Sequence, residues 1–322
     1  MLTPAIAALP LSELAQDVRA GLSQPGQKVL PCRYFYDAIG SALFEVITHL
    51  PEYGLSRAGE RLLRKHAAEL ASRTPAPAVV AELGCGSGKN TRWLLEALLR
   101  RRSVTYCPIE ISAAALATCR HQLDDLDSLT FLGFEREYLG GLAEVAAFRP
   151  PHEPLLLLFL GSTIGNFSRS QGVQFLKQVR DNLIPGDSLL LATDLEKPLR
   201  QLLLAYDDPL GVTAAFNLNL LARLNRELEA DFRLDFFRHV ARYSREERRI
   251  EMHLQSTLEQ TITIPGAGLA VTFKRGETIW TESSHKYNLP EILQMGHQSG
   301  FRCEAQWVDE EWPFAHTLLR AE

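Results

Sequence analysis

The sequence has no large excess of positive or negative charge, no long apolar run and no membrane-targeting signal. Its 34 Lys and Arg residues stand against 39 Asp and Glu residues, a formal net charge of −5, whereas a nucleic-acid-binding domain would be basic. No uncharged run approaches the ~18 residues of a membrane span, and the apolar start Met1–Pro10 lacks the basic segment of a signal peptide. We therefore expect neither nucleic acid nor a membrane as partner.

Paired cysteines and metal-binding motifs are also missing. An odd number of cysteines with no CxxC motif argues against a disulfide framework and favours reduced thiols; they are Cys32, Cys85, Cys107, Cys119 and Cys303. The nine histidines are scattered without an HExxH motif or Cys/His spacing, so no metal site is expected. We expect a cytoplasmic protein, and a monomer.

The remaining composition is that of an ordinary soluble protein. Hydrophobic residues make up 46% and charged residues 23%, close to the average for globular domains. At 322 residues the chain exceeds one ordinary domain of roughly 100–200 residues, so we expect one large domain or two closely associated ones.

From about residue 56, helix-like and strand-like segments alternate as they do in βαβ units. The predicted strands are Ala78–Leu83, Val104–Ile109, Leu155–Leu160 and Ser188–Thr193. The predicted helices are Arg57–Arg73, Asn90–Leu99, Ser112–Leu123 (with Ser112 as N-cap) and Gln171–Leu183. This rhythm predicts an α/β fold built on a doubly wound, mostly parallel sheet.

The rhythm changes after Asp194. Pro198–Glu229 reads as a long helix broken near Pro209, and Phe232–Phe273 reads as extended, alternating segments. The chain then returns to the first style, with a helix at Leu289–Ser299 and strands at Arg302–Val308 and Phe314–Leu319. We predict a core domain of residues 56–195 plus 287–322 and a smaller α+β domain of residues 1–55 plus 196–286.

The strongest local signal is the segment AVVAELGCGSGK at residues 78–89. A buried strand ends in Glu82 and turns through Gly84, Gly86 and Gly88, which lets the backbone approach a ligand at the carboxyl end of the strand. The spacing GxGxG followed by Lys89 departs from the GxGxxG of dinucleotide-binding turns. An acidic residue two positions before the first glycine suits a cationic amino group, as in the methionine part of S-adenosylmethionine (SAM), better than a pyrophosphate.

A second carboxylate follows the next predicted strand. Glu110 comes 26 residues after Gly84, directly after Val104–Ile109. In register with the glycine-rich turn, this side chain can accept hydrogen bonds from both hydroxyls of a ribose. Glu135 and Glu137 are both candidates to border the adenine, and the sequence does not decide between them.

The third signal is LLLLFLGSTIGN at residues 155–166, an apolar strand that opens into a polar loop. Residues just beyond the carboxyl ends of central strands face the ligand crevice of an open α/β sheet. Asn166 is therefore expected near the reacting centre, where its amide can both donate and accept hydrogen bonds. The alternative is an asparagine that merely tolerates a loop conformation.

Four longer segments carry a family resemblance: RYFYDAIGSALFEVITHLPEY at residues 33–53, GSTIGN at 161–166, AYDDPLGVTAAFN at 205–217 and GETIWTESSHKY at 276–287. In this order, over nearly the whole chain, they resemble the histidine Nα-methyltransferases of ergothioneine biosynthesis. The resemblance implies the class I SAM-dependent methyltransferase fold, SAM as methyl donor and L-histidine as substrate. It further implies repeated methylation to the trimethylated betaine hercynine, and a substrate domain made of the N-terminal segment and the insertion.

The resemblance also implies roles for individual residues. Asn166 and Tyr36 would be the catalytic pair, with Asn166 and Tyr206 on the carboxylate and amine of the amino acid and Tyr36 beside the amine. The other substrate-binding residues would be Gly161, Tyr53, Glu282 and Ser284, the last three at the imidazole, with Met252 packed nearby. The residues that bind SAM would be Glu82, Gly84, Gly86, Gly88, Lys89 and Glu110.

The sequence departs from the family pattern at two places. Members commonly continue PEY with a second aromatic residue and Pro-Thr-Arg, whereas residues 54–57 here read GLSR, so a different pocket entrance is expected. In the family, the lysine of the glycine-rich turn directly precedes the threonine that matches Thr91. Here Asn90 occupies that position, and Lys89 lies one residue earlier.

Three other functions remain open from the sequence alone. The nearest is an Nα-methyltransferase of another aromatic amino acid, such as tryptophan. A nucleotide-dependent oxidoreductase on a Rossmann core is a second, although the missing third glycine and Lys89 argue against it. A third is a non-catalytic binding module that retains the pocket as a sensor.

Overall fold

The computed structural model describes residues 11–322, so the interpretation of Met1–Pro10 lies outside the described residues. Its α-helices are α1 (Glu13–Leu22), α2 (Ala38–His49), α3 (Leu55–Arg73), α4 (Thr91–Leu99), α5 (Ala113–Leu123), α6 (Tyr138–Phe148), α7 (Arg169–Asp181), α8 (Leu199–Tyr206), α9 (Val212–Leu228) and α10 (Leu289–Gln298). Its strands are β1 (Lys28–Val29), β2 (Val79–Leu83), β3 (Val104–Glu110), β4 (Leu129–Phe131), β5 (Phe134–Glu135), β6 (Leu155–Phe159), β7 (Ser188–Asp194), β8 (Phe237–Ser244), β9 (Arg249–Ser256), β10 (Gln260–Ile264), β11 (Leu269–Phe273), β12 (Thr278–His285), β13 (Phe301–Asp309) and β14 (Phe314–Ala321).

The main sheet has the predicted doubly wound architecture. Its strand order is β13-β14-β7-β6-β2-β3-β4, and the short β5 also pairs with β3. Neighbouring strands in the part of the sheet ordered β7-β6-β2-β3-β4 pair in parallel, whereas β14 is antiparallel to both β7 and β13. The α/β fold class and the antiparallel pair at the end of the chain are therefore confirmed.

The central strands are apolar because helices cover both faces of this sheet. On β2, Val80 belongs to one hydrophobic core, whereas its neighbours Val79 and Ala81 belong to the core on the opposite face. On β6, Leu156 and Leu157 divide in the same way. A strand buried on both sides has no need of alternation, which explains the unbroken apolar runs in the sequence.

The break predicted near Pro209 separates α8 from α9. In the connecting segment, the Asp208 carboxylate accepts hydrogen bonds from the backbone N–H groups of Val212 (3.0 Å) and Thr213 (2.7 Å), the first two residues of α9. Gly211 has φ +74°, a conformation that favours glycine. The predicted break is therefore an ordered turn between two helices, and the second helix has its N-terminal N–H groups satisfied by a carboxylate.

A second sheet contains both the N-terminal segment and the insertion. Its order is β1-β12-β9-β8, with β1 parallel to β12, while β10 and β11 form a separate hairpin. The end of this sheet meets the main sheet at the loop after β6. There the His285 ring nitrogen Nδ1 lies 2.9 Å from the Gly165 carbonyl, and the Tyr287 N–H donates to the Asp194 carbonyl at 3.0 Å.

Candidate active site

A cleft of about 1380 Å³ opens where the two sheets meet. Ten of the residues predicted for the site line it: Tyr36, Glu82, Gly84, Gly86, Gly88, Lys89, Glu110, Gly161, Asn166 and Glu282. Four others, Tyr53, Tyr206, Met252 and Ser284, are buried and are not part of its lining. The structure therefore places most of the predicted site around one cavity and the remainder inside the protein.

The glycine-rich turn depends on its glycines in two ways. Gly84, Gly86 and Gly88 have φ values of +71°, +51° and +71°, which side chains rarely adopt. A Cβ added to Gly88 would lie 2.5 Å from the Cys119 Sγ, whereas one added to Gly86 would meet nothing within 4 Å. Gly88 is thus needed for packing, and Gly86 leaves the backbone open to the cleft.

This difference predicts unequal effects of alanine in the turn. Gly86→Ala should cost about 1–2 kcal/mol of unfolding free energy, from backbone strain alone. Gly88→Ala should cost a further ~1–3 kcal/mol because its methyl group overlaps Cys119. Chemical denaturation of the two variants measures the difference, and adding Cys119→Ala to Gly88→Ala should recover part of the extra loss. Equal losses in the two single variants would contradict the packing role of Gly88.

The Glu82 carboxylate is buried and hydrogen-bonded within the fold. Its carboxylate accepts hydrogen bonds from the Thr91 hydroxyl at 2.8 and 2.9 Å and from the Tyr106 hydroxyl. Burial raises the pKa of Glu82 to about 7, although these two hydroxyls oppose the rise. The residue ties β2, β3 and the start of α4 together directly beneath the turn.

Glu110 faces the same turn from the end of β3. Its Oε1 accepts from the backbone N–H groups of Ile111 (2.9 Å) and Ser112 (3.2 Å). Burial raises the pKa of Glu110, while the N–H groups of Ser112, Gly86 and Ile111 act in the opposite direction. Of the two acidic candidates for the adenine, Glu137 lines the cleft and Glu135 does not.

The loop after β6 starts with two residues of positive φ and a hydrogen bond to the end of β7. Gly161 and Ser162 both have positive φ, +72° and +61°, and the Ser162 hydroxyl accepts from the Asp194 backbone N–H at 2.8 Å. This conformation brings Asn166 to the cleft, with its Nδ2 3.9 Å from the Cys32 Sγ. Burial and the nearby Glu282 raise the pKa of the Cys32 thiol to about 12, so this thiol stays protonated.

Tyr36 lines the same cleft as this loop. Its ring contacts Phe44 and Phe216 edge-on, with centroids 5.7 and 5.9 Å away. Burial, then the charge of Glu282, raises the pKa of Tyr36 well above its ordinary value. The phenol is therefore neutral and can donate or accept a hydrogen bond at the cleft.

Glu282 lines the cleft from β12. It pairs with Met252 across β9 and β12, so the two side chains share one face of the second sheet. Burial raises the pKa of Glu282 to about 7, and the charge of Lys286 partly offsets that rise. A carboxylate that titrates near neutrality at the wall of a cleft is typical of a functional site.

Three of the four buried residues, Tyr53, Tyr206 and Ser284, form a cluster near Glu282. The Tyr206 and Ser284 hydroxyl oxygens are 2.7 Å apart, and the rings of Tyr53 and Tyr206 meet edge-on at 6.2 Å. Lys286 was not among the predicted site residues, yet its ammonium donates to both hydroxyls, at 2.9 Å to Tyr206 and 2.8 Å to Ser284. Its only sequence signal was its place in the motif GETIWTESSHKY.

The unusual entrance sequence has a structural reason. A Cβ added to Gly54 would overlap the indole ring of Trp312, so glycine is required where that ring packs. Arg57 donates to the carbonyls of Leu50 (2.7 Å) and Pro51 (2.6 Å), and its side chain also lines the cleft. Of residues 54–57, Ser56 and Arg57 line the cleft, whereas Gly54 and Leu55 do not, and a different pocket entrance stays a prediction.

Two classes of site are absent from residues 11–322. In this range no group of three or more His, Cys, Asp or Glu residues is placed to hold a metal ion. No helix described there combines the length and apolar character needed to span a membrane.

Comparison with known proteins agrees with the geometry of the cleft. The histidine-specific, SAM-dependent methyltransferase family matches residues 14–321. The histidine N-alpha-methyltransferase of Mycolicibacterium smegmatis is 41% identical over 311 residues, covering 95% of this chain and 94% of the relative. Ergothioneine biosynthesis protein 1 of Neurospora crassa is 29% identical over 287 residues, covering 88% of this chain and 32% of that protein.

Among solved structures, the magnesium protoporphyrin IX methyltransferase of Synechocystis PCC 6803 aligns with a TM-score of 0.46 at 10% identity. The alignment covers 90% of this chain and 98% of that one. The match over residues 14–321 and the 41% identity over 95% of the chain determine the family assignment. The chain belongs to the family of histidine-specific, SAM-dependent methyltransferases.

Proposed function

We propose that the protein methylates the α-amino group of L-histidine with SAM, repeating the transfer until hercynine is formed, as a step in ergothioneine biosynthesis. The observation that carries the proposal is one cleft that joins a glycine-rich turn and Glu110 to Asn166, Tyr36 and Glu282. Its volume of about 1380 Å³ leaves room for a nucleoside and an amino acid together. The names of the mycobacterial and fungal relatives support histidine as acceptor and this pathway.

SAM supplies an electrophilic methyl group carried on a sulfonium. We assign it to the glycine-rich turn, where Gly86 leaves the backbone open to the cleft. Glu110 is the assigned acceptor for ribose hydroxyls, and Glu137 is the better placed carboxylate for the adenine side. Because both Glu82 oxygens already accept hydroxyl hydrogens, its assigned role is to brace the turn as well as to attract the cationic amino group.

The substrate amine must present a lone pair in order to be methylated. A carboxylate against the amine would favour the ammonium form, whereas neutral groups do not. Asn166 and Tyr36 are neutral groups at the cleft, so we assign them to orient the amine. Orientation of well-aligned groups contributes up to ~7–11 kcal/mol, enough to be the main catalytic effect.

The imidazole end is assigned to Glu282 and the buried cluster near it. A neutral imidazole has one N–H donor and one acceptor nitrogen, whereas an indole has only a donor. Glu282 is an acceptor for the N–H, and the Ser284 hydroxyl is a donor for the second nitrogen. Tryptophan would leave that hydroxyl unpaired, and sites with buried polar partners reject ligands that lack the matching group.

The function is tested by the product that accumulates. Purified protein incubated with SAM and L-histidine should yield histidine heavier by three CH₂ units, with one- and two-unit species as transient intermediates. Fragmentation should place every added methyl group on the α-nitrogen. A product methylated on the imidazole would refute the proposed orientation.

Glu282 also predicts a pH dependence. With a pKa of about 7, its ionised fraction falls from about 90% at pH 8 to about 10% at pH 6. Because the ionised form accepts the imidazole N–H more strongly, the KM for histidine should rise as pH falls through this range. Steady-state kinetics of the wild type and of Glu282→Gln, which cannot titrate, separate this effect from titration of histidine itself. Parallel KM profiles for the two proteins would contradict it.

Domain roles, cell location and oligomeric state belong to the same proposal. We assign residues 56–195 plus 287–322 to SAM binding and residues 1–55 plus 196–286 to the amino acid, supported by the pairing of β1 with β12. All five cysteines are free thiols, which supports the reducing cytoplasm. The net charge of −5 supports a small-molecule substrate over nucleic acid, and a monomer remains the expected state.

A further inference from the structure

Two buried lysines share one carboxylate beside the cleft. The Lys286 Nζ lies 2.8 Å from the Asp194 Oδ2, and the Lys197 ammonium contacts the other oxygen, Oδ1. All three side chains have 0% exposure. Burial lowers the pKa of Lys197 to about 8, so it is largely protonated at neutral pH. Two lysines thus share one buried carboxylate, and the charge of Lys286 also acts on the nearby Glu282 carboxylate.

The two lysines differ in what else they contact. Lys197 donates to the Leu195 carbonyl at 2.9 Å and lies over the Trp312 ring, 4.8 Å from its centroid. Lys286 donates to the hydroxyls of Tyr206 (2.9 Å) and Ser284 (2.8 Å). Lys197 therefore faces structural neighbours, whereas Lys286 faces two residues of the predicted substrate site.

The direction of these hydrogen bonds is fixed by chemistry. An ammonium has three donors and no acceptor, so both hydroxyl oxygens must accept from Lys286. The oxygens are 2.7 Å apart, so one hydroxyl proton lies between them. The second hydroxyl proton cannot point at Lys286 and has no acceptor among residues 11–322, so it is available to a ligand that reaches these hydroxyls.

We propose that Lys286 is a positioning residue that holds Ser284 and Tyr206 as a hydrogen-bond donor toward the substrate, with Asp194 neutralising the ammonium. This inference rests on the proposed function. Glu282 and Ser284 lie on the same face of β12 because they are two residues apart in the strand, and Lys286 follows two residues after Ser284. The substrate therefore meets an acceptor in Glu282 and, beside it, a donor whose direction Lys286 sets.

The test compares Lys286→Met with Lys197→Met, since each removes one lysine from the same carboxylate. Lys286→Met should raise the KM for histidine about tenfold to 100-fold, because a misdirected hydroxyl leaves a buried imidazole nitrogen without its donor. Its affinity for S-adenosylhomocysteine should stay within about twofold, and kcat should change less than KM. Lys197→Met should lower thermal stability with a KM within about threefold of wild type. Equal KM changes in the two variants, or none in Lys286→Met, would overturn the proposal.

A double variant separates positioning from a general structural role. If Lys286 acts through Ser284, Lys286→Met should raise KM less in a Ser284→Ala background than in the wild type. Independent, multiplicative effects would overturn the proposal. If Lys286→Met does not fold, Lys286→Gln is measured by the same criteria. A wild-type protein that fails to methylate histidine would instead remove the proposed function, so the two failures are distinguishable.

Discussion

Replacing Asn166 with alanine should lower kcat for histidine methylation by about 100-fold or more, because misplacement of a reacting group by a small distance has effects of this size. The Asn166 amide lies at the cleft on a loop held by positive-φ residues. Among the described residues, this amide makes a single hydrogen-bonding contact, the 3.9 Å approach of its Nδ2 to the Cys32 Sγ, so its loss should leave the fold intact. Single-turnover kinetics with saturating SAM measure the effect on chemistry directly.

Two controls accompany this variant. Binding of S-adenosylhomocysteine, measured by calorimetry, should be unchanged because the amide is assigned to the substrate amine. Asn166→Asp keeps the shape but adds an anion that favours the ammonium form, so it should fail to restore turnover near neutral pH. Unchanged kinetics in Asn166→Ala would remove this residue from the reaction centre.

Replacing Glu282 with alanine should abolish most of the preference for histidine. The loss of an acceptor for the imidazole N–H should lower kcat/KM for histidine about tenfold to 100-fold. Activity with tryptophan should fall less or rise, because the change removes a buried carboxylate and enlarges the pocket beside Met252. Competition assays with the two amino acids in one mixture measure the ratio.

Glu251→Ala is a matched control for this experiment. Glu251 lies on the adjoining strand β9 and is paired with Arg249 at 2.7 Å, outside the cleft lining. Its removal tests the loss of a carboxylate from the same sheet and should leave the histidine preference intact. Full discrimination in Glu282→Ala would disprove the specificity assignment.

Local patterns predicted the main sheet well. The apolar run Ala78–Leu83 is β2 at Val79–Leu83, and the helix capped by Ser112 is α5, where the Ser112 hydroxyl accepts from the Ala115 N–H at 3.3 Å. An unbroken apolar run and an N-cap residue are both patterns of residues adjacent in the chain. Elements marked by such patterns can therefore be predicted from the sequence alone.

Three helices were not predicted: α1, α2 and α6. The segments of α1 and α2 were assigned to the smaller domain, with no helix predicted in either. α6 contains the adjacent glycines Gly140 and Gly141, which weaken helical propensity and hide the pattern. Tertiary packing supplies what these segments lack in local signal: α2 lies against α9, and Gly141 packs against Ile109.

The buried polar network could not be predicted. Lys286 and Tyr206 are 80 residues apart in the chain, and Thr91 reaches Glu82 from the following helix. Contacts of this kind depend on how the two sheets meet, for which a single sequence has no local pattern. Family resemblance named Tyr206 and Ser284 but gave no sign that a lysine joins them.

The most direct test of this account is a single incubation of the purified protein with SAM labelled in its methyl group and an equimolar mixture of the twenty amino acids. The account predicts that histidine alone acquires label, on its α-nitrogen, and that omission of SAM or addition of excess S-adenosylhomocysteine stops the reaction. Label on another amino acid, or none on any, would contradict it.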